Sequence, residues 1–408
     1  MITEEQIEKL TERLVSRIDK ANTYFLKGIG SSIRKIGNLT PSKAHELVQM
    51  LKYGGKYEEL IQEIAKYTNL DIKDIDEIFS IYAKQDQRFY EKFYKYRDIP
   101  FVPYQQNYVL RNQTEALANI VKNEMYNYFR NNVLGYTIRN NDGKLIFKGL
   151  RETYNQALDE ALLNVGQGKE TFDSAMKRIL NDIGRSGLKT INYTSGRAIR
   201  LDSAVRMHLK GRLRELHNEN QKIFGREFNA DGYEISVHIN PAPDHASAQG
   251  HQFSFAEYDK LNNGDVALDY KGRAITLDHD GKNGYRPISE MNCYHYIFAI
   301  VLGVSEPEYS EEKLKEMAKK NKEGFDFEGK HYTMYEGTQL QRKLEREIRK
   351  QKDTQILAEE SDNKELILES QGKITQLTNK YRELSKASKL PTRMDRMKVS
   401  GYKRVAIN

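Results

Sequence analysis

At 408 residues, with 38% hydrophobic and 30% charged side chains and a mean hydropathy of -0.76, the chain has room for about two or three cores beneath a large polar surface. No stretch approaches the roughly 20 apolar residues of a membrane span, and a single cysteine excludes an internal disulfide framework and points to assembly in a reducing cytoplasm. The net charge of +7 is modest but uneven: residues 185–226 hold ten Lys/Arg against three Asp/Glu, and the tail adds Arg393, Arg396, Lys398, Lys403 and Arg404 against Asp395.

The acidic, amphipathic start (Met-Ile-Thr-Glu-Glu) does not read as a signal peptide. Ile7, Leu10, Leu14 and Ile18 recur at helical spacing behind Thr3-Glu4-Glu5. Thr40-Pro41-Ser42 places Pro at the first position of a second helix. Asp71 caps a third, with the stripe Ile72, Ile75, Ile78, Phe79 and Tyr82. Residues 89–108 are aromatic and broken by Pro100 and Pro103, which fits a boundary, a partner-binding elbow or ordinary packing. A helix over 110–132 leads to an alternating stretch, 133–149, around Asn140-Asn141-Asp142-Gly143, a strong hairpin signal. Helices near 151–165 and 170–184 follow, then a turn at 192–197 and a basic helix from about Asp202 to Phe224.

Tyr233 to His238 alternates as a short strand, and Asn262 to Asp265, Asp278 to Gly281 and Asn283-Gly284 are turns. Tyr294 to Val304 is an apolar run that packs as core. From Tyr335 the chain is helical again: Leu340, Leu344 and Ile348, then Ile367, Ile374, Leu377, Tyr381 and Leu384 beyond Ser361-Asp362-Asn363. That spacing fits a coiled coil or a helical hairpin ended by Pro391. The expected fold is α+β and predominantly α-helical. Its segments are an N-terminal helical region (1–105), a helical region with one hairpin and a basic helix (106–230), an α+β module (231–335), a helical hairpin or coiled coil (336–390) and a basic tail (391–408).

Chemistry concentrates in His238-Ile-Asn-Pro-Ala-Pro-Asp244-His245, running to Gln249-Gly250, and in Asn292-Cys293-Tyr294-His295. His238, His245, Cys293 and His295 are nitrogen and sulfur ligands suited to a tetrahedral structural zinc that ties two distant loops together. The same side chains equally suit hydrogen bonding to backbone in a rigid loop. A hydrolytic reading, a metal-dependent nuclease or toxin-like effector, draws on His238, Asp244, His245, Asp278, His279 and Asp280. No paired-ligand-and-base spacing supports it. There is no phosphate-cradling glycine loop, and Ser247, Ser254 and Cys293 lack a readable activating base. A third reading, nonspecific DNA binding, rests on Arg200, Arg206, Lys210, Arg212 and Arg214 of the basic helix, which also suit an acidic protein face or plain solvation.

Four segments together resemble the phage minor capsid protein 2 family, related to the Mu F-type head morphogenesis proteins. The first is Tyr193-Thr-Ser-Gly196-Arg197 with Leu201 to Arg206. The second is His238 through Asp244-His245 to Gln249, Gly250 and Phe253. The third is Asn292-Cys293-Tyr294-His295, and the fourth is Tyr335 to Arg349. Tyr294 departs from the arginine usual there, and His251 stands where a lysine often follows Gln-Gly; residues 1–105 carry no family motif. The resemblance implies a multimeric structural protein of the tailed-phage virion, not an enzyme. It implies assembly in the bacterial cytoplasm and association with the portal protein and other capsid or neck proteins. Roles in head assembly and in DNA packaging or delivery follow, with the N-terminal region docking and the basic helix meeting DNA or an acidic portal surface.

Overall fold

The computed structural model describes residues 4–68, 72–96, 98–130, 133–140, 142–192, 194–277, 286–289 and 293–405. The first half contains α1 (Glu4–Gly37), α2 (Pro41–Tyr53), α3 (Lys56–Thr68), α4 (Ile72–Tyr96), α5 (Tyr108–Tyr128), β1 (Leu134–Arg139), β2 (Leu145–Gly149), α6 (Leu150–Asn164), α7 (Lys169–Ser186), β3 (Lys189–Asn192) and β4 (Arg197–Arg200). The second contains α8 (Leu201–Phe228), β5 (Gly232–Ile235), β6 (Gln252–Ser254), α9 (Phe255–Asn262), β7 (Ala267–Leu268), β8 (Ala274–Ile275), β9 (Ile297–Ile300), α10 (Glu311–Glu323), β10 (Phe325–Phe327), β11 (Lys330–Tyr332), α11 (Met334–Glu360) and α12 (Lys364–Ser388). Helix accounts for 64% of the structure and the sheets are small and antiparallel, an α+β fold dominated by helix.

The expected consecutive segments are redistributed between two compact units, each assembled from three stretches of chain. One comprises Met1–Thr11, Asp71–Asn123 and Arg206–Gln339; the other comprises Glu12–Leu70, Glu124–Val205 and Leu340–Asn408.

In the second unit, Asn140 makes the hairpin turn. Its side chain accepts from Lys144 N at 2.9 Å and its carbonyl from Gly143 N at 3.0 Å, while Gly143 takes the φ of 76° that favours glycine. The strand order is β2-β1-β3-β4. The pair β3–β4 formed where only a turn was expected, because its four-residue strands are too short to show a periodicity. Leu134, Tyr136 and Ile138 on one face of β1 are fully buried. The helices α11 and α12 form the hairpin alternative to a coiled coil: Gln341 Nε2 donates to Ser385 Oγ at 2.8 Å and Tyr381 OH to Glu345 Oε1 at 3.0 Å. The basic tail is not loose, since Thr23 Oγ1 donates to Ser400 O at 2.8 Å and Lys352 Nζ to Met397 O at 2.7 Å.

A buried polar network ties α1, β4, the start of α8 and α11. Asp353 accepts from Asn22 Nδ2 and from Arg200, both at 3.1 Å. Asp202 takes Arg200 Nε at 3.2 Å and Arg349 at 2.6 Å. Burial pushes the Asp353 carboxyl up to about 6 even though Arg200 pulls the other way.

In the first unit, the stripe of α4 is buried from Ile75 to Tyr82; the proposed cap, Asp71, lies outside the described residues. The aromatic stretch after it is packing rather than an elbow: Tyr90 and Tyr94 join Phe224 and Phe228 in one cluster. His217 of α8 is fully buried, with Nδ1 2.8 Å from Asp86 Oδ1 and Nε2 2.9 Å from the Ile297 carbonyl. Each ring nitrogen thus faces an oxygen acceptor.

Candidate metal centre

A three-stranded sheet, β6-β5-β9, positions the histidines and the cysteine. Tyr233, Ile235, Phe253 and Ile297 fill its core with Tyr258 and Leu261 of α9. The first motif is the loop from β5 to β6, and both its ends are pinned. Gly250 N donates to Ile235 O at 2.8 Å, with Gly250 at a φ of 75°, and Ser236 N donates to Tyr296 O at 2.8 Å. A side chain at Gly250 would also strike Leu314 and Val237, which accounts for glycine after Gln249. Phe253, the last motif residue here, is wholly buried in the core. Asn292 and Tyr193 lie outside the described residues, as do Asp278, His279 and Asp280. Gly196, at a φ of 65°, turns the chain from β3 into β4, where Arg197 opens the strand and is exposed.

Three of the four expected ligands converge. His245, Cys293 and His295 each offer one donor atom, all within 4.8 Å of one another, and each residue is 1% exposed. Cys293 Sγ lies 3.3 Å from His245 Nδ1 and 3.5 Å from His295 Nδ1. Sulfur and nitrogen sharing one tetrahedral zinc stand about 3.6 Å apart, from bonds of ~2.3 and ~2.05 Å. The far ring nitrogens set the tautomers. His245 Nε2 faces the Arg286 carbonyl at 2.8 Å, and His295 Nε2 faces Gln249 Oε1 at 3.3 Å. Each therefore donates its N–H outward and turns Nδ1 to the sulfur, the outer-shell arrangement of ligating histidines. Asp244 in turn grips Arg286 through both carboxylate oxygens, at 3.0 and 3.1 Å, and so fixes the carbonyl that orients His245.

His238 is the correction. It is not part of the trio. Its Nδ1 sits 3.1 Å from its neighbour's carbonyl at Ile239, and its ring packs on His295 with centroids 4.5 Å apart. The described residues thus bring together three donors. Burial would raise the Cys293 thiol, but the hydrogen bond and charge of His245 outweigh it and hold the thiol below its usual range. Burial likewise opposes the proton on His245, yet the sulfur beside it raises that ring. Burial and the neighbouring rings of His238 and His245 drive His295 well below the usual imidazole range. A thiolate and a neutral imidazole are the forms that bind a cation, so the shifts of Cys293 and His295 favour binding, whereas a cation must displace the proton that the sulfur favours on His245.

Little of a hydrolytic centre assembles among the described residues. Asp244 is engaged by Arg286, Ser247 donates to the Thr276 carbonyl at 2.6 Å, and Ser254 caps α9. His251 bonds Asp269 at 2.8 Å. Tyr294, where an arginine is usual, lies 5.7 Å from the Arg214 guanidinium, which α8 supplies.

The basic helix is not a free cationic stripe. Arg214 is 3% exposed and lies over Tyr294 and Tyr296. Arg206 and Lys210 reach Glu8 at 3.8 and 2.7 Å, and Arg212 reaches Glu215 at 2.6 Å. Arg200 is held by Asp202 and Asp353. The sequence shows the cations close together, but not that Asp353 and Glu8 answer Arg200 and Lys210 from 153 and 202 residues away.

The family model described as phage minor capsid protein 2 matches residues 2–386, nearly the whole chain, and the chain belongs to that family. No curated protein and no solved structure matches it.

Proposed function

We propose that this member of the phage minor capsid protein 2 family is a structural component of a tailed-phage head, seated at the portal vertex and inner head, in contact with portal and neck proteins. There it assists head assembly and DNA packaging or delivery. Family membership over residues 2–386 carries the capsid role, and no described helix is long and apolar enough to cross a membrane. Within the protein, His245, Cys293 and His295 hold a zinc ion that braces the loop 236–251 against the strand at Ile297. Burial of all three donors argues for bracing over catalysis, because a substrate needs access to the open position.

Mass spectrometry of purified virions, followed by localisation in particle maps, tests the role. The expected result is a few copies at the portal vertex; absence from mature particles refutes it. The zinc has its own test. Chelation of the purified protein is expected to lower its melting temperature by several degrees, since the metal binds only the folded loops. Elemental analysis should find about one zinc per chain, lost in Cys293→Ser. Identical melting with and without chelator, and no bound metal, would leave a hydrogen-bonded Cys–His trio.

A further inference from the structure

The sheet β2-β1-β3-β4 buries Leu134, Tyr136 and Ile138 on one face and therefore turns Thr137 and Arg139 to the other. Lys189 pairs directly with Gly135 on one side and Arg200 on the other, so both cations join that second face. There the sheet, α7, the start of α8 and α11 line a cavity of about 690 Å³. Its rim and walls carry Arg139, Arg185, Lys189, Arg200, Arg346 and Lys350 against one carboxylate, Asp182.

Acidic partners answer four of the six. Arg139 binds Asp182 at 2.7 Å, Arg185 and Lys350 share Glu347 at 3.1 and 2.6 Å, and Arg200 has Asp202 and Asp353. Lys189 and Arg346 have no carboxylate among the described residues. Among the described residues, Lys189 Nζ donates to the Thr137 hydroxyl, at 2.8 Å. Like charges directly opposite across two strands are destabilising, and burial together with Arg200 and Lys350 lowers the Lys189 ammonium below its usual range. Such a concentration of positive charge in a concave wall is what an anion offsets.

We propose that this cavity binds a phosphate dianion, free or as the terminal phosphate of a nucleotide, through Lys189, Arg346 and Lys350. A carboxylate brings one charge, whereas a phosphate brings about -1.5 to -2 at neutral pH, enough for the two unanswered cations. The guanidinium fork and the ammonium both donate to phosphate oxygens. The cavity lies within the usual size range of small-ligand sites. It is separate from the Cys293 cluster, and neither proposal depends on the other.

The test is thermal melting of the full chain titrated with inorganic phosphate, against sodium chloride of equal ionic strength. Phosphate is expected to raise the melting temperature saturably and chloride is not. Lys189→Met removes a half-buried cation. It is expected to raise the melting temperature without phosphate while weakening the phosphate midpoint about tenfold or more, the loss of one charge-assisted hydrogen bond. Arg346→Gln, on the exposed rim, does the same to the midpoint without risk to the fold. A parallel titration with adenosine monophosphate separates the sources. A lower midpoint than that of inorganic phosphate supports a nucleotide, and an equal or higher one supports free phosphate. Equal responses to phosphate and chloride, or a wild-type midpoint in both variants, overturn the site.

Discussion

Asp86→Ala is expected to destabilise the protein by about 2–6 kcal/mol, because it takes the shared acceptor from two buried polar side chains at about 1–3 kcal/mol each. Asp86 and His217 are both wholly buried, one on α4 and one on α8. The carboxylate accepts from His217 Nδ1 at 2.8 Å through one oxygen and from Asn220 Nδ2 at 2.9 Å through the other. Removing it takes the shared acceptor from the His217 ring and the Asn220 amide, with Phe298 and Tyr296 against the ring's edges at 5.5 and 5.1 Å. Urea denaturation of wild type, Asp86→Ala and Asp86→Ala/His217→Leu measures the effect. The double variant should recover part of the loss, because one of the stranded polar groups goes too. A single-variant cost below about 1 kcal/mol, the scale of a surface pair, would show that the two helices are not clamped by this contact.

Gly184→Ala is the second large effect, and its sign is the informative part. In a helix interior alanine ordinarily gains about 1 kcal/mol over glycine. Gly184 sits in α7, where a Cβ would stand 2.5 Å from the Thr354 Cα of α11, a backbone atom that cannot swing aside. The two helices would have to part, at a cost of about 1–3 kcal/mol or more for overpacking. Gly372 in α12 is the control, as a Cβ there meets nothing within 4 Å. Gly372→Ala should stabilise while Gly184→Ala destabilises, both read by denaturation midpoints. Stabilisation by both would mean that α7 and α11 pack less closely than described.

The local features were legible because local chemistry decides them. Pro41 opens α2, the Asn140–Gly143 turn makes the first hairpin, and Asn363 caps α12 by accepting from Leu366 N at 3.0 Å. The trio of His245, Cys293 and His295 was also visible as two motifs that imply one place. His238 was read into it because proximity in sequence does not reveal which way a ring turns, and its ring lies on His295 instead. What the sequence concealed is long-range. The partners of Arg200, Lys210 and His217 lie 153, 202 and 131 residues away. A cluster of cations reads as surface until its distant acids are known.

The unit that holds residues 12–70 also needs Leu340–Asn408, and Asp19 accepts a hydrogen bond from Ser400 N, 381 positions along. A ribosome delivers residues 340–408 long after residues 12–70. The α1 helix therefore emerges long before Leu357 and Ser361, whose backbone lies against Gly30, arrive to pack on it. Nascent chains stalled before residue 340 should consequently be proteolysed within residues 12–70, a vulnerability that full-length synthesis closes.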